Sequence, residues 1–163
     1  MTSMTLKRAA KWTLPMGILG SSIAPDGSRL SAACMDGVYD VDLTNGQHSR
    51  LGEHNSYASS IVRLQHSDVL LSAGYDGNVH WYRKSDGNFQ RHISLHDFWS
   101  WDMAVSPNER LLASVTGQYL AGGYRYEPAA ESEPSVRVVD VHSGKILHSL
   151  AHVPSVQAVD FSP

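Results

Sequence analysis

The chain has 163 residues, the length of one ordinary domain, with 42% hydrophobic and 18% charged residues and a formal net charge of −3. A mildly acidic balance without basic runs argues against nucleic acid or an anionic membrane as the main partner. Cys34 is the single cysteine, so no internal disulfide staples the core.

Residues 1–10 read as an N-terminal tail. Lys7 and Arg8 precede a mostly apolar stretch at 12–24, which loosely resembles a secretory signal. Lys11, Pro15 and two glycines interrupt it, and the stretch fits the repeat phase described next. The expectation is therefore a cytoplasmic chain, a setting that also suits one unpaired cysteine. No run approaches the ~18 uninterrupted apolar residues of a membrane span.

From residue 11 onward, alternating runs of Val, Leu, Ile and aromatic residues are divided by Asp-Gly, Asn-Gly and Ser-Gly pairs, the chemistry of tight hairpin turns. No sustained 3.6-residue period is present, so almost no helix is expected. The pattern recurs. Residues 22–47 (SIAPDGSRLSAACMDGVYDVDLTNGQ), 60–88 (SIVRLQHSDVLLSAGYDGNVHWYRKSDGN) and 103–145, which begin MAVSPNERLLAS and end SVRVVDVHSGK, share one order of elements. Each has an apolar strand, a turn, a second strand ending in small residues, a Val-led third strand and a glycine turn. Gly46 and Gly87 are 41 residues apart, and His54 and His96 are 42 apart. These intervals match the ~40–45 residues of a four-stranded propeller blade.

The chain resembles the tryptophan–aspartate (WD) repeat family from about residue 11 to 163. The resemblance rests on APDG at 24–27, LSAGYDGNVHWY at 71–82, VRVVDVHSGK at 136–145 and VDFSP at 159–163, recurring in the same order and phase. It implies an all-β fold, a β-propeller of four-stranded antiparallel blades. About three blades fall at 17–52, 57–95 and 99–150, with 151–163 starting another. Residues 11–14 resemble the outer strand of a preceding blade. A closed propeller needs about four blades or more, so the ring is expected to be incomplete. Its open edges invite self-association, unless the sequence is a truncated copy. Uncovered apolar surface is expected around Leu30 and Val41 at one end, and around Leu147 and Val139 at the other.

The family's loop histidine falls on His54, His96 and His152. Its signature tryptophan is replaced by Val41, Tyr82 and Val139, and its aspartate is kept as Asp42 and Asp140 but is Arg83 in the middle repeat. In the family a His, a Ser or Thr, an Asp and the Trp form a hydrogen-bonded chain. The resemblance therefore implies a structural network of His54, Ser72, Asp76 and Tyr82 in the second repeat, and of His96 and Ser114 in the third, with Glu133 in place of the Asp. The first repeat has Met16 and Ala32 near those places.

Other constellations read as structural. His48, His66, His80, His92, His142 and His148 show no metal-ligand spacing such as Cys-x-x-Cys or His-Glu-x-x-His. Asp40 and Asp42 alternate on one strand as an acid–base pair would, but Asp40 reads as a solvated edge residue. Serine and histidine near residues 54–56 lack a nucleophile elbow. No catalytic residue, metal or cofactor is expected.

The period breaks once: His96 and His152 are 56 residues apart, and the excess lies between Ser114 and Val136. That insertion carries Tyr119, Tyr124, Arg125 and Tyr126. In the family this connection opens on the same face as the histidine loops, on or beside which Tyr57, Tyr75, Phe98 and Trp99 also fall. Trp101, alternating with Met103 and Val105, reads as packing between repeats. Tyr, Trp and Arg anchor interfaces because they bury large area at modest entropic cost. A non-catalytic scaffold binding a protein or peptide through the loop face is the expectation. The alternatives are part of a larger enzyme or small-ligand sensor with a site at the central channel, or a fragment without independent function.

Overall fold

The computed structural model describes residues 7, 8, 10–117, 133–152 and 156–163. Twelve β-strands, and no helix, are formed among the described residues. They make three four-stranded antiparallel sheets, each a simple meander. The first holds β1 (Ile18–Ile23), β2 (Arg29–Cys34), β3 (Gly37–Asp42) and β4 (His48–Gly52). The second holds β5 (Ala58–Arg63), β6 (Val69–Gly74), β7 (Asn78–Arg83) and β8 (Phe89–Ser94). The third holds β9 (Asp102–Val105), β10 (Leu111–Val115), β11 (Val136–Asp140) and β12 (Ile146–Leu150).

The alternation of side chains divides each middle strand between two interfaces. On β6, Leu70 packs with Ala33, Val38, Ala58, Ile61 and Tyr82 towards the first sheet. Leu71 and Ala73 pack with Val79, Trp81, Met103, Leu112 and Val139 towards the third. The second sheet is thus buried on both faces. On β6 the neighbours Leu70 and Leu71, which point to opposite faces, are accordingly both fully buried.

The leading strands of the sheets are neighbours: β5 lies beside β1 and β2 on one side and beside β9 on the other. Small residues make this approach feasible. A side chain at Gly20 would sit 2.9 Å from the Ser59 carbonyl and 3.1 Å from Ser60 Cα. Polar links then join the sheets. Ser22 Oγ accepts from Arg63 N at 3.1 Å, Ser59 Oγ donates to the Ser100 carbonyl at 2.6 Å, and Ser60 Oγ donates to Asp102 at 3.0 Å.

Several expectations are corrected here. Residues 11–14 form no strand; Leu14 instead packs over Ala32, Cys34 and Tyr39 of the first sheet, with Leu30 beside it. Val41 is 2% exposed and Val139 fully buried, so neither marks an uncovered face; Leu147 on β12 is the exposed one, at 42%. Residues 159–163 form no strand either, but Val159 N donates to Asp102 Oδ2 at 3.3 Å, which holds this segment beside β9.

Asp40 is not a solvated edge residue. It is 6% exposed and bound by Arg29 Nε at 2.7 Å and by Arg63 Nη1, from the second sheet, at 2.8 Å. Ser31 Oγ, which accepts from the same Arg63 nitrogen at 2.6 Å, completes the cluster. No helix of the described residues is long and apolar enough to cross a membrane.

Candidate functional site: an aromatic stack at one end of the sheets

In a meander, alternate turns fall at opposite ends of the sheet. The β4–β5 loop, the β6–β7 turn and the β8–β9 loop therefore emerge at one end. They carry Glu53–Tyr57 residues, Tyr75–Gly77 residues and Leu95–Trp101 residues respectively. Two histidine clusters fix these loops to the strands beneath.

In the second sheet His54 is buried, and its Nδ1 donates to Asp76 Oδ1 at 2.9 Å. With the proton on Nδ1, Nε2 accepts from Ser72 Oγ at 2.8 Å. Asp76 also accepts from Asn55 N at 2.9 Å and Asn78 N at 3.1 Å. Burial alone would raise the Asp76 pKa, but the hydrogen bonds from His54 and the two backbone amides outweigh it and hold the carboxyl far below its usual range. Tyr82, also implied in this network, is fully buried, with its hydroxyl 3.2 Å from His80 Nδ1.

The third sheet repeats the arrangement less tightly. His96 Nε2 accepts from Ser114 Oγ at 3.0 Å, and Glu133 Oε1 accepts from Asp97 N at 3.1 Å, as Asp76 does from Asn55 N. Glu133 Oε2 stays 3.8 Å from His96 Nδ1, which is left without a hydrogen bond. Burial, with the charge of Arg137, pushes the His96 pKa down to about 4. His152 is exposed, and among the described residues its carbonyl accepts from Ser135 Oγ at 3.4 Å.

Sequence spacing did not show that His80 stacks on His54, with ring centroids 3.9 Å apart and planes 14° apart. His54, Asp76 and His80 place ligand-type atoms within 4.8 Å of one another. Both nitrogens of His54 are already committed to Asp76 and Ser72, however, so a cation there would have to displace the bonds that fix the loop. Burial first, then the neighbouring His54, pushes the His80 pKa down to about 4. The cluster is built as a hydrogen-bonded clamp on the Asp76 carboxylate.

Above the clamps the loops bring their aromatic residues together. Tyr75 stacks on Trp99 at 4.6 Å with planes 9° apart, and Phe98 stacks on Trp99 at 5.0 Å and 13°. Tyr57 tilts against Tyr75 at 5.9 Å. Trp101 presents an edge to both Tyr75, at 5.3 Å, and Trp99, at 5.2 Å. It therefore belongs to this cluster, and its Nε1 donates to the Gly117 carbonyl at 2.9 Å. Tyr57 is 42% and Trp99 38% exposed.

Gly77 makes this convergence feasible. Its φ is +74°, and any side chain there would run into the His96 carbonyl and lie 2.8 Å from that of Phe98. The Gly77 carbonyl in turn accepts from Leu95 N and His96 N at 3.0 and 3.1 Å. The β8–β9 loop is thereby held against the β6–β7 turn. Tyr119, Tyr124, Arg125 and Tyr126 lie outside the described residues.

At the opposite end a groove of about 750 Å³ opens between the second and third sheets, beside Leu64, Val69, Trp81, Arg91, Glu109 and Val141. Arg91 lies over the Trp81 ring at 4.7 Å and donates to the carbonyls of Val141, His142 and Ser143. Its charge is spent on binding that turn. The groove is also lined by His66, Ser67, Asp140 and His142.

No family model matches the chain, and no curated protein matches it in sequence. Among solved structures, the hydrazine synthase of Kuenenia stuttgartiensis is similar in fold, with a TM-score of 0.62 at 16% identity. The likeness covers 82% of this chain and 36% of that one, so the chain spans about a third of its neighbour's length. At that identity the likeness concerns fold alone. The class defined is an all-β protein of repeated four-stranded antiparallel sheets.

Proposed function

We propose that the chain is a divergent WD-repeat array, three blades of a β-propeller, working as a non-catalytic scaffold that docks a protein or peptide on its loop face. The observation carrying the docking role is the Tyr57–Tyr75–Trp99–Phe98 stack, partly exposed and built from three separate loops. Exposed aromatics held rigidly on a scaffold lose little entropy on binding and bury large area, which is the character of an interface anchor. The propeller reading draws support from the three sheets, the neighbouring leading strands and the repeated histidine clamps. On the same reading β1 is an open edge, with Ile18, Leu19 and Ile23 about half exposed and available for self-association.

The test is selection of a displayed random-peptide library on the wild-type protein, with the Trp99→Ala variant as counter-target. Peptides that bind wild type and are lost on a folded Trp99→Ala variant support the role. Selected peptides that bind both proteins equally contradict it.

A further inference from the structure

We infer that the segment docking on the aromatic stack is an extended peptide presenting a cationic side chain, arginine or lysine; this rests on the docking role proposed above. The stretches 53–60, 74–78 and 94–103, which supply the stack and its loops, contain Glu53, Asp76, Asp97 and Asp102 and no lysine or arginine. Glu133 joins this group, since its Oε1 accepts from the backbone of Asp97. Among the described residues, Arg50 pairs with Glu53 at 2.7 Å, and Arg137, whose charge acts on His96 and Glu133, donates to Ser149.

Asp97 carries the most weight. It is exposed, immediately precedes Phe98 and Trp99, and its carboxylate makes no hydrogen bond among the described residues. Aromatic faces are themselves electron-rich and attract cations. The exposed Tyr57 ring at the end of the stack and the carboxylate of Asp97, next to Phe98 in sequence, therefore favour the same ligand charge. A neutral apolar segment would cover Asp97 without giving it a partner, and an acidic one would be repelled.

The experiment measures fluorescence anisotropy of labelled twelve-residue Gly-Ser peptides, identical except for two central positions that are Arg, Lys, Gln, Leu or Glu. Each is titrated with the wild-type chain and with Asp97→Asn and Trp99→Ala variants, after thermal melting shows each variant folded. The expected order is Arg and Lys tightest and Glu weakest, with binding that falls as salt rises from about 0.05 to 0.5 M. Asp97→Asn should weaken the Arg and Lys peptides by roughly two- to five-fold, the range of an exposed ion pair, and leave the Leu peptide unchanged. If the Gln or Leu peptide binds as tightly as the Arg peptide, is insensitive to salt and still requires Trp99, the charge inference falls and the docking role stands. If no peptide binds, or Trp99→Ala changes nothing, both fall.

Discussion

Asp76 accepts a 2.9 Å hydrogen bond from His54 Nδ1 across 22 residues of chain and so closes the β4–β5 loop onto the β6–β7 turn. The same carboxylate caps two backbone amides, Asn55 N and Asn78 N. Asp76→Ala leaves three donors unmatched, one of them on a buried ring, and should destabilise the protein by about 1–3 kcal/mol. Glu133→Ala should be milder, because Glu133 caps one amide at 3.1 Å and stands 3.8 Å from His96. Chemical denaturation of both variants checks the order. Equal losses would show that the His96–Glu133 contact is as strong as the His54–Asp76 bond.

Acid should unfold the chain in two stages. His80 and His96 have pKa values pushed down to about 4 in the folded state, against about 6.5 unfolded. The unfolded chain thus binds more protons between those values, so stability falls as pH drops from about 6.5 to 4, by about 1.4 kcal/mol per pH unit for each histidine. Asp76 has a depressed pKa, and its contribution is lost only as pH falls through about 4 and below. Melting temperatures from pH 7.5 to 3.5 measure this. His80→Gln should remove one proton's worth of slope in the upper window.

Asp40 holds two arginines from two sheets, and its own side chain and that of Arg63 are 9% and 12% exposed. Asp40→Leu strands the Arg63 charge in a nearly dry site and should cost about 3–5 kcal/mol. Asp40→Leu with Arg63→Met removes both charges and should recover most of that loss. Urea unfolding of the single and double variants distinguishes an inter-sheet ion pair from a mere surface contact.

At Gly77 an alanine would adopt a left-handed backbone, at about 1–2 kcal/mol, and would also drive its methyl into the His96 carbonyl. Gly77→Ala should therefore lower the melting temperature and push the β8–β9 loop outward. Acrylamide quenching of tryptophan emission should rise as Trp99 leaves Tyr75.

Much of the fold was legible because turn chemistry and alternation are local. The glycine turns at Gly46 and Gly87 and the 42-residue histidine interval already divided the chain into its sheets. The clamp of His54, Ser72 and Asp76 followed from the family resemblance, as did Glu133 in the aspartate's place. What was not legible depends on partners distant in sequence. Asp40 read as solvated because Arg63 reaches it from another sheet. Residues 11–14 alternate like a strand but find no strand to pair with, and burial of Leu14 takes over. His152 was assigned through the family resemblance although it follows His96 by 56 residues, outside the repeat interval, and its side chain is exposed. The aromatic residues could be assigned to loops, but their mutual stacking is set by how closely Gly77 lets two loops approach.

The docking role of the loop face is tested most directly by the tryptophan indole N–H signals in a ¹⁵N–¹H spectrum, recorded while a library-selected peptide is added. The chain has four tryptophans, at 12, 81, 99 and 101. Trp81 lies buried between sheets with its indole on the Val141 carbonyl, and Trp12 lies over Gly46 at the other end of the first sheet. The Trp99 signal should move most, that of Trp101 less, and those of Trp12 and Trp81 should stay in place. Movement of Trp12 or Trp81 with Trp99 unchanged would contradict a docking surface on the aromatic stack.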